Sequence, residues 1–357
     1  MISEPDGVEV VATAADAAPG AAPLLVVDRI AAYLAGQGLG TGELSWERIG
    51  EGQSNVTYAV RLDGRDLVLR RGPRPPLPPS THDMVREARV QRLLAAAGQP
   101  VPEIVAVCDD DSVLGVPFYV MERVDGVVVT DELPAVFADP AQHAPLAEAA
   151  VDALADLHAV DVASAPLADL GRPGGYLQRQ VRRFAGLWSA NTRRDLPLVA
   201  ELATRLENRM PLTQRHSVVH GDYRIGNLMY GPAAPPRVAA ILDWEMATLG
   251  DPLADLGYFT ATYARPGMRE TPLELTTVTR GAHFPDTHAL VERYAARHDL
   301  DLSALGWYEA LALWKAAVFC EALYTRWRAG ERPGDTFGPT LEDGVPRLLD
   351  AAAERLP

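Results

Sequence analysis

Cysteine is nearly absent from this chain of 357 residues: only Cys108 and Cys320 occur, far apart and without CxxC spacing. Neither a disulfide framework nor a structural zinc site is supported, and two buried thiols in a reducing compartment are expected. No Lys or Arg precedes Arg29, whereas Glu4, Asp6 and Glu9 do. A secretory signal needs a positive start before its apolar run, so none is expected. Long apolar runs are missing, none reaching the roughly 18 residues of a membrane span. Positive charge is in deficit, with a formal net charge of -15. That excludes a general nucleic-acid binder, which needs a basic face; the same field would favour a cationic substrate, weakly. No internal repeat is evident. The expectation is a cytoplasmic protein with neither membrane nor nucleic-acid partner, and hydrophobic residues at 48% supply a core for two lobes.

Residues 1–23, rich in Ala, Pro, Gly and acids, read as a disordered leader. Residues 24–123 then give a small lobe. Leu24 to Leu34 has helical periodicity, and Ser45 to Ile49 is a short strand. Gly50-Glu51-Gly52-Gln53-Ser54-Asn55 is a glycine-rich turn. Val56 to Leu62 and Leu67 to Arg70 are strands joined by Asp63-Gly64, a strong hairpin signal. Pro73 to Pro79 is a proline-rich loop. His82 to Ala97 is a helix offering Val85, Ala88, Val90, Leu93 and Leu94 to its buried side, and Ile104 to Cys108 and Phe118 to Arg123 are further strands. Five strands with one inserted helix is the order of a kinase small lobe. Residues 124–357 are mostly helical, with candidate helices at Leu146 to His158, Gly175 to Ser189, Leu196 to Asn208, Pro252 to Tyr263, Thr287 to His298, Ser303 to Ala329 and Leu341 to Arg355.

The chemistry is concentrated in His220-Gly221-Asp222-Tyr223-Arg224-Ile225-Gly226-Asn227 and Ile241-Leu242-Asp243-Trp244-Glu245. An Asp, an Asn five residues on and a second Asp sixteen residues later form the set a kinase-like phosphotransferase needs. One carboxylate, Asp222, takes the proton of the attacking hydroxyl; Asn227 and Asp243 supply hard oxygens for the magnesium that bridges nucleotide phosphates. Asn227 to Tyr230 and Val238 to Leu242 read as a strand pair, which sets both metal ligands at matched ends of one hairpin. His220 reads as an organiser of the loop rather than a catalyst. Arg224, also assigned to the catalytic set, either screens developing charge or ties the loop down, and the sequence does not decide between these.

The run HGDYRIGNLM…ILDWEMATLGDPLADLGY resembles the aminoglycoside phosphotransferase / choline kinase family, in the branch of the phosphotransferase domains found beside acyl-CoA dehydrogenases. The resemblance implies an α+β, bilobal protein-kinase-like fold: a small five-stranded antiparallel lobe with one helix, and a large helical lobe carrying the catalytic hairpin. It implies a phosphotransferase that moves the terminal phosphate of ATP or GTP to a hydroxyl of a small molecule, with Mg2+. Gly50, Gly52, Ser54 and Asn55 would cover the phosphates. Arg70 stands where the family's strand carries a lysine; it keeps the charge but not the geometry. Glu87 would brace it from the helix. Met121, Glu122, Arg123 and Val124 would form the hinge that reads the purine through the main chain, which leaves ATP and GTP undistinguished. Asp255 would brace the catalytic loop, while Asp251 before Pro252 reads as a helix cap.

The acceptor is open between an aminoglycoside, a macrolide, an amino alcohol, a sugar and a hydroxyacyl thioester. Its pocket is expected among the helices after Asp243, near Arg265, Arg269, Trp307 and Tyr308, with loops Pro166 to Gly175 and Arg265 to Phe284 at the mouth. Aromatic residues between Trp307 and Trp327 could instead be helix core. Two alternatives stand beside the enzyme: a catalytically weak kinase-like binding module, motivated by Arg70, and a metal-dependent hydrolase built on His220, Asp222, Asp243 and Asp251.

Overall fold

The computed structural model describes residues 9–17, 22–50, 55–75, 82–164, 166–268, 270–332 and 334–356. The chain divides between Val124 and Asp125 into two units. The first runs β1 (Val10–Val11), β2 (Leu25–Val26), α1 (Val27–Gly36), β3 (Ser45–Ile49), β4 (Val56–Leu62), β5 (Arg65–Arg71), α2 (Met84–Ala96), β6 (Ile104–Cys108), the single turn α3 (Asp111–Leu114) and β7 (Phe118–Glu122). Five of these strands form one antiparallel sheet in the order β3-β4-β5-β7-β6. Asp63 and Gly64 turn β4 into β5 with φ of 49° and 78°, the left-handed values a two-residue hairpin needs.

Period-two alternation in β5 decides which face does what. Leu67 and Leu69 join Tyr58, Phe118 and Val120 in a core that also takes Ile30 and Leu34 from α1. Arg71 lies on that side and is fully buried, its guanidinium held by the carbonyls of Gly72, Leu24 and Leu114. A buried charge survives only with such replacement of its water. Arg70 emerges on the other face, where Met84 and Ala88 of α2 pack with Ile104 and Tyr119.

Two sequence expectations fail here. Residues 9–17 are not disordered: β1 pairs in parallel with β2, Val11 is buried, and Tyr58 donates a 2.7 Å hydrogen bond to Glu9 Oε1. The apolar Val10-Val11 pair outweighs the polar composition around it. In α2, Val85 is exposed, and the polar Glu87 and Gln91 line the buried face with Met84, Ala88 and Leu94. An apolar periodicity count has no means of placing a carboxylate inside.

The second unit contains β8 (Val127–Val128), α4 (His143–His158), α5 (Tyr176–Asn191), α6 (Leu198–Asn208), β9 (Ser217–Val219), β10 (Leu228–Tyr230), β11 (Val238–Ile241), β12 (Thr248–Gly250), α7 (Leu253–Thr262), α8 (Thr287–Ala295), α9 (Leu305–Arg328) and α10 (Leu341–Arg355). The hairpin β10–β11 forms with Leu228 opposite Ile241, and β8 adds to its edge. Sequence reasoning missed β12, whose Thr248–Gly250 pairs with β9. Helix α9 packs against α5, α7 and α10. Its aromatics Trp307, Tyr308 and Trp314 are buried, with the indole N–H groups donating to Leu206 O and Val199 O and the Tyr308 hydroxyl to Asp251 Oδ2. They are helix core, and only Phe319 among the α9 aromatics is half exposed.

The α7–α9 crossing is tight at Gly257, where an added Cβ would lie 2.5 Å from Tyr308 Cβ and 2.7 Å from its backbone carbon. Gly257→Ala is therefore expected to destabilise the protein by about 1–3 kcal/mol through forced helix separation. Gly186→Ala in α5 meets nothing within 4 Å and has an ordinary helical φ; it should gain about 0.5–1 kcal/mol. Urea denaturation followed by circular dichroism compares the two, and equal midpoints would show that Gly257 does not set the helix spacing.

Candidate active site

In the first unit the polar groups meet on the α2 side of the sheet. Arg70 Nε lies 3.2 Å from Glu87 Oε1, and the glutamate is 1% exposed. Tyr119, opposite Arg70 in the β5–β7 register, donates to Glu87 Oε1 at 3.0 Å and accepts from Gln91 Nε2 at 3.0 Å. Burial and the neighbouring carboxylate raise the Tyr119 hydroxyl well above its ordinary pKa, so it remains a donor. The expected pair thus forms, held by a tyrosine and a glutamine that the sequence did not single out. Only the register, Arg70 against Tyr119, could have signalled them.

Gly50 has φ 74°, which favours glycine at the entry to the glycine-rich turn. Asn55 at its exit is buried and its Oδ1 lies 2.8 Å from His82 Nδ1. Gly52 and Ser54 lie outside the described residues. Met121 packs on the α2-side cluster. The amides of Glu122 and Arg123 donate to Glu103 O and Asp66 O, and the Glu122 carboxylate pairs with Arg65. Val124 closes the unit.

In the second unit the loop after β9 alternates between anchors and exposed functional groups. Tyr223 is fully buried and donates to Ala150 O at 2.7 Å; Ile225 is buried beyond it. Asp222 and Arg224, between the anchors, stay partly accessible. Gly221 has φ 88°, and a Cβ there would meet Met246 at 2.8 Å, so the turn admits only glycine. His220 is fully buried with both ring nitrogens used: Nε2 lies 2.9 Å from Leu242 O, and Nδ1 accepts from Asp222 N–H at 3.2 Å. It organises the loop, as expected.

Beneath this loop sits Asp255, on the first turn of α7 and fully buried. Its Oδ2 accepts from His220 N–H at 2.6 Å and its Oδ1 from Gly221 N–H at 2.8 Å. His158 Nε2 lies 3.3 Å from Oδ2, and His158 Nδ1 lies 2.8 Å from the Tyr294 hydroxyl. Asp251 Oδ1 accepts from Leu253 N–H at 3.0 Å, the capping bond expected of it.

Asp222, Asn227 and Asp243 come together through the hairpin. Asn227 Nδ2 donates to Asp222 Oδ2 and to Asp222 O, both at 2.8 Å, which leaves its amide oxygen facing away from that carboxylate. Leu242 N–H donates to Asn227 O at 2.9 Å, so Asp243 follows directly on the residue paired with Asn227. Asp243 has φ 65°, a left-handed conformation that costs a non-glycine residue about 1–3 kcal/mol and marks functional positions. Arg224 Nε stands 3.8 Å from Asp222 Oδ1. The Tyr258 side chain, on α7, lies beside Asp222, and its hydroxyl is held protonated by burial and by that carboxylate. Tyr258 falls one turn after Asp255, a relation that becomes meaningful only once Asp255 is placed under the loop.

Among the described residues no three His, Cys, Asp or Glu side chains gather as a metal site. Two hard oxygens, from Asn227 and Asp243, nevertheless fit magnesium that arrives with a nucleotide, because that ion keeps phosphate and water ligands. The hydrolase alternative loses its ligands: His220 is fully engaged, and Asp251 is buried between Leu253 N–H and Tyr308. Of the expected acceptor-pocket residues, Trp307 and Tyr308 are core and Arg269 lies outside the described residues. Arg265 donates to Thr287 Oγ1 at 2.9 Å.

This five-stranded sheet with its inserted helix, followed by a helical unit carrying the catalytic hairpin, is the protein-kinase-like fold. A macrolide 2'-phosphotransferase shares it, with TM-score 0.60 at 19% identity over 89% of this chain and 96% of that one. A Ralstonia eutropha protein assigned to the aminoglycoside phosphotransferases is more similar, with TM-score 0.74 and 28% identity over 92% of this chain and 98% of its own. Residues 45–292 match the phosphotransferase enzyme family, and the chain belongs to it. Acyl-CoA dehydrogenase family member 10 of mouse is 34% identical across 83% of this chain, and member 11 of chicken 36% across 83%. The chain spans 28% and 38% of the length of those two relatives.

Asp255→Ala should leave the buried amides of His220 and Gly221 without acceptors and cost about 3 kcal/mol. Hydrogen exchange at those two amides should accelerate well beyond that of amides in β6. Unchanged protection would remove Asp255 from its place as the brace.

Proposed function

We propose that this protein transfers the terminal phosphate of ATP or GTP to a hydroxyl of a small molecule in the cytoplasm. The observation that carries the proposal is the hydrogen-bonded run from Asp222 through Asn227 to Leu242, the residue before Asp243, with Asp222 still partly accessible. The acceptor oxygen attacks the terminal phosphorus, the bond to the nucleotide's bridging oxygen breaks, and the hydroxyl proton passes to Asp222. A carboxylate is a weak base in the ground state, so Asp222 acts by orienting the hydroxyl and accepting its proton late. Asn227, donating to Asp222 Oδ2, fixes which lone pair faces the acceptor, with Tyr258 beside the same carboxylate. Asn227 and Asp243 hold Mg2+, which when bound neutralises phosphate charge. Arg224 limits the rotation of Asp222.

Arg70, braced by Glu87, contacts the nucleotide phosphates, with Gly50, Gly52, Ser54 and Asn55 covering them; Met121 to Val124 receive the base. The names of the relatives suggest acceptors as different as hygromycin B, which fills one neighbour of the same fold, and a hydroxyacyl thioester, after the acyl-CoA dehydrogenases. A catalytically weak nucleotide-binding module is the second reading, favoured by arginine where the family has lysine.

Thermal melting with Mg-ATP, with Mg-GTP and with Mg2+ alone should show stabilisation by one nucleotide and little by the ion. Asp222→Asn is expected to keep that shift and lower turnover roughly 10²–10⁴-fold. A wild-type rate would remove Asp222 from the base role. Asn227→Ala and Asp243→Ala should each raise the magnesium concentration needed for half-maximal rate. An Arg70→Lys variant faster than the native protein would favour the weak-module reading.

A further inference from the structure

Of the 33 lysines and arginines in this chain, one alone is a lysine, Lys315. Arginine makes most of the ion pairs among the described residues, including Arg70–Glu87, Arg194–Glu321 and Arg293–Asp152. Lys315 makes none: among the described residues no carboxylate lies within ion-pair distance of it. It sits mid-way along α9 and faces the catalytic loop. Together with Gly221, Asp255, Tyr258, Tyr176 and Tyr308 it lines a cavity of about 10 Å³, room for roughly one water. Its ammonium rests 4.8 Å from the centre of the Phe184 ring. Unlike Leu311, Ala312 and Trp314 beside it, Lys315 is not sealed in. One helical turn on, half-exposed Phe319 packs edge-on against Phe184, with ring centres 5.5 Å apart.

We propose that Lys315 is the specificity-determining residue of the acceptor site, receiving an anionic group, carboxylate or phosphate, of a hydroxyl compound whose apolar part lies along the half-exposed Phe319. This rests on the phosphotransfer reading above, because it is Asp222, beside Tyr258 of the same cavity wall, that makes this the acceptor side.

Three observations support it. An arginine head is planar and bidentate where an ammonium makes a single-point contact, and in this arginine-built chain lysine is the departure. The charged groups that face Lys315 are Asp222 from the loop, Asp255 from α7 and Arg183 from α5. Were the ammonium present to neutralise the two carboxylates, their attraction would hold its pKa up. Burial instead wins and pulls it from 10.5 to about 8, so the cation is under-compensated and an arriving anion relieves it. A polycationic acceptor would be repelled at this point despite the overall charge of -15.

The sole lysine makes the test specific. Reductive methylation of the full-length protein with ¹³C-formaldehyde places one dimethyl-lysine signal in the NMR spectrum besides that of the terminal amine. It is titrated with four probes of one chain length: 6-hydroxyhexanoate, 6-hydroxyhexyl phosphate, 6-hydroxyhexanamide and 6-aminohexanol. The carboxylate, the phosphate or both should move the signal and raise its titration midpoint, whereas the amide and the amine should not. Binding of the anionic probes should persist below about pH 8 and fall as pH rises through it, because only the ammonium attracts them. In nucleotide turnover, Lys315→Met should raise KM for the anionic probe by roughly tenfold, the value of a lost charged hydrogen bond, and leave KM for the amide unchanged. A signal indifferent to charge, or equal turnover of carboxylate and amine, overturns the inference while leaving phosphotransfer intact. An anion-dependent shift without turnover of any probe upholds the anion site and counts against phosphotransfer.

Discussion

Two hydrogen bonds from loop amides to one carboxylate organise the candidate active site of the second unit. Asp255 reaches up from α7 and takes the N–H groups of His220 and Gly221 on its two oxygens. Those amides belong to a turn that cannot satisfy them internally, since Gly221 is in the left-handed region and Met246 fills the space beside it. A buried amide left unpaired costs about 1–3 kcal/mol, so the two together lock the backbone from which Asp222 projects. His158 and Tyr294 extend the network to α4 and α8, and Gly257 keeps α7 close against α9. The position of Asp222 is therefore a property of four helices rather than of its own loop.

The same economy of polar groups operates in the first unit. Glu87 and Tyr119 are almost completely buried, which is tolerable only because Arg70 and Gln91 complete their hydrogen bonding. A buried ion pair is weak evidence for stability, since desolvation offsets its attraction. Its value here is positional: Arg70 is 15% exposed and leaves the sheet in one direction, fixed from below by Glu87. Arg71, one residue on, shows the contrast. It is wholly enclosed by carbonyl oxygens and serves the core.

Much of this was legible in the sequence, for reasons that differ by element. The β4–β5 hairpin followed from Asp63-Gly64, and the α7 start from Asp251-Pro252, because turn and cap chemistry is local. The placement of Asn227 and Asp243 at the same end of one hairpin followed from a strand–turn–strand pattern that the structure keeps, with Leu228 opposite Ile241. The failures share one cause, that burial of polar groups is decided by partners distant in sequence. Glu87 displaced Val85 from the inner face of α2 because Tyr119, 32 residues away, gives its carboxylate a donor. Tyr258 and Lys315 went unnoticed because one is an ordinary helix aromatic and the other an ordinary helix cation until Asp222 is set beside them. The aromatics of α9 fell to the blander of two open alternatives, since each indole N–H found a carbonyl in the neighbouring helix.

Arginine and lysine divide their work in this chain according to what each head group does. The guanidinium stays charged and bidentate, which suits fixed pairs such as Arg293 with Asp152, where Nε and Nη2 meet the two carboxylate oxygens at 2.8 and 2.7 Å. It also suits Arg70, whose task is to remain charged beside a buried glutamate. An ammonium on a flexible stem is suited to the opposite circumstance, a position that must be partly dehydrated, lightly held and responsive to what arrives. Lys315 occupies such a position, over the Phe184 ring and among Asp222, Asp255 and Tyr258. Around Asp222 the donor Asn227 and the neighbouring Tyr258 limit orientation, while Arg224 and Lys315 set the local charge from opposite origins, one in the loop and one in α9. On the proposed phosphotransfer, the first pair serves any acceptor, and the second pair is where this chain has room to choose one.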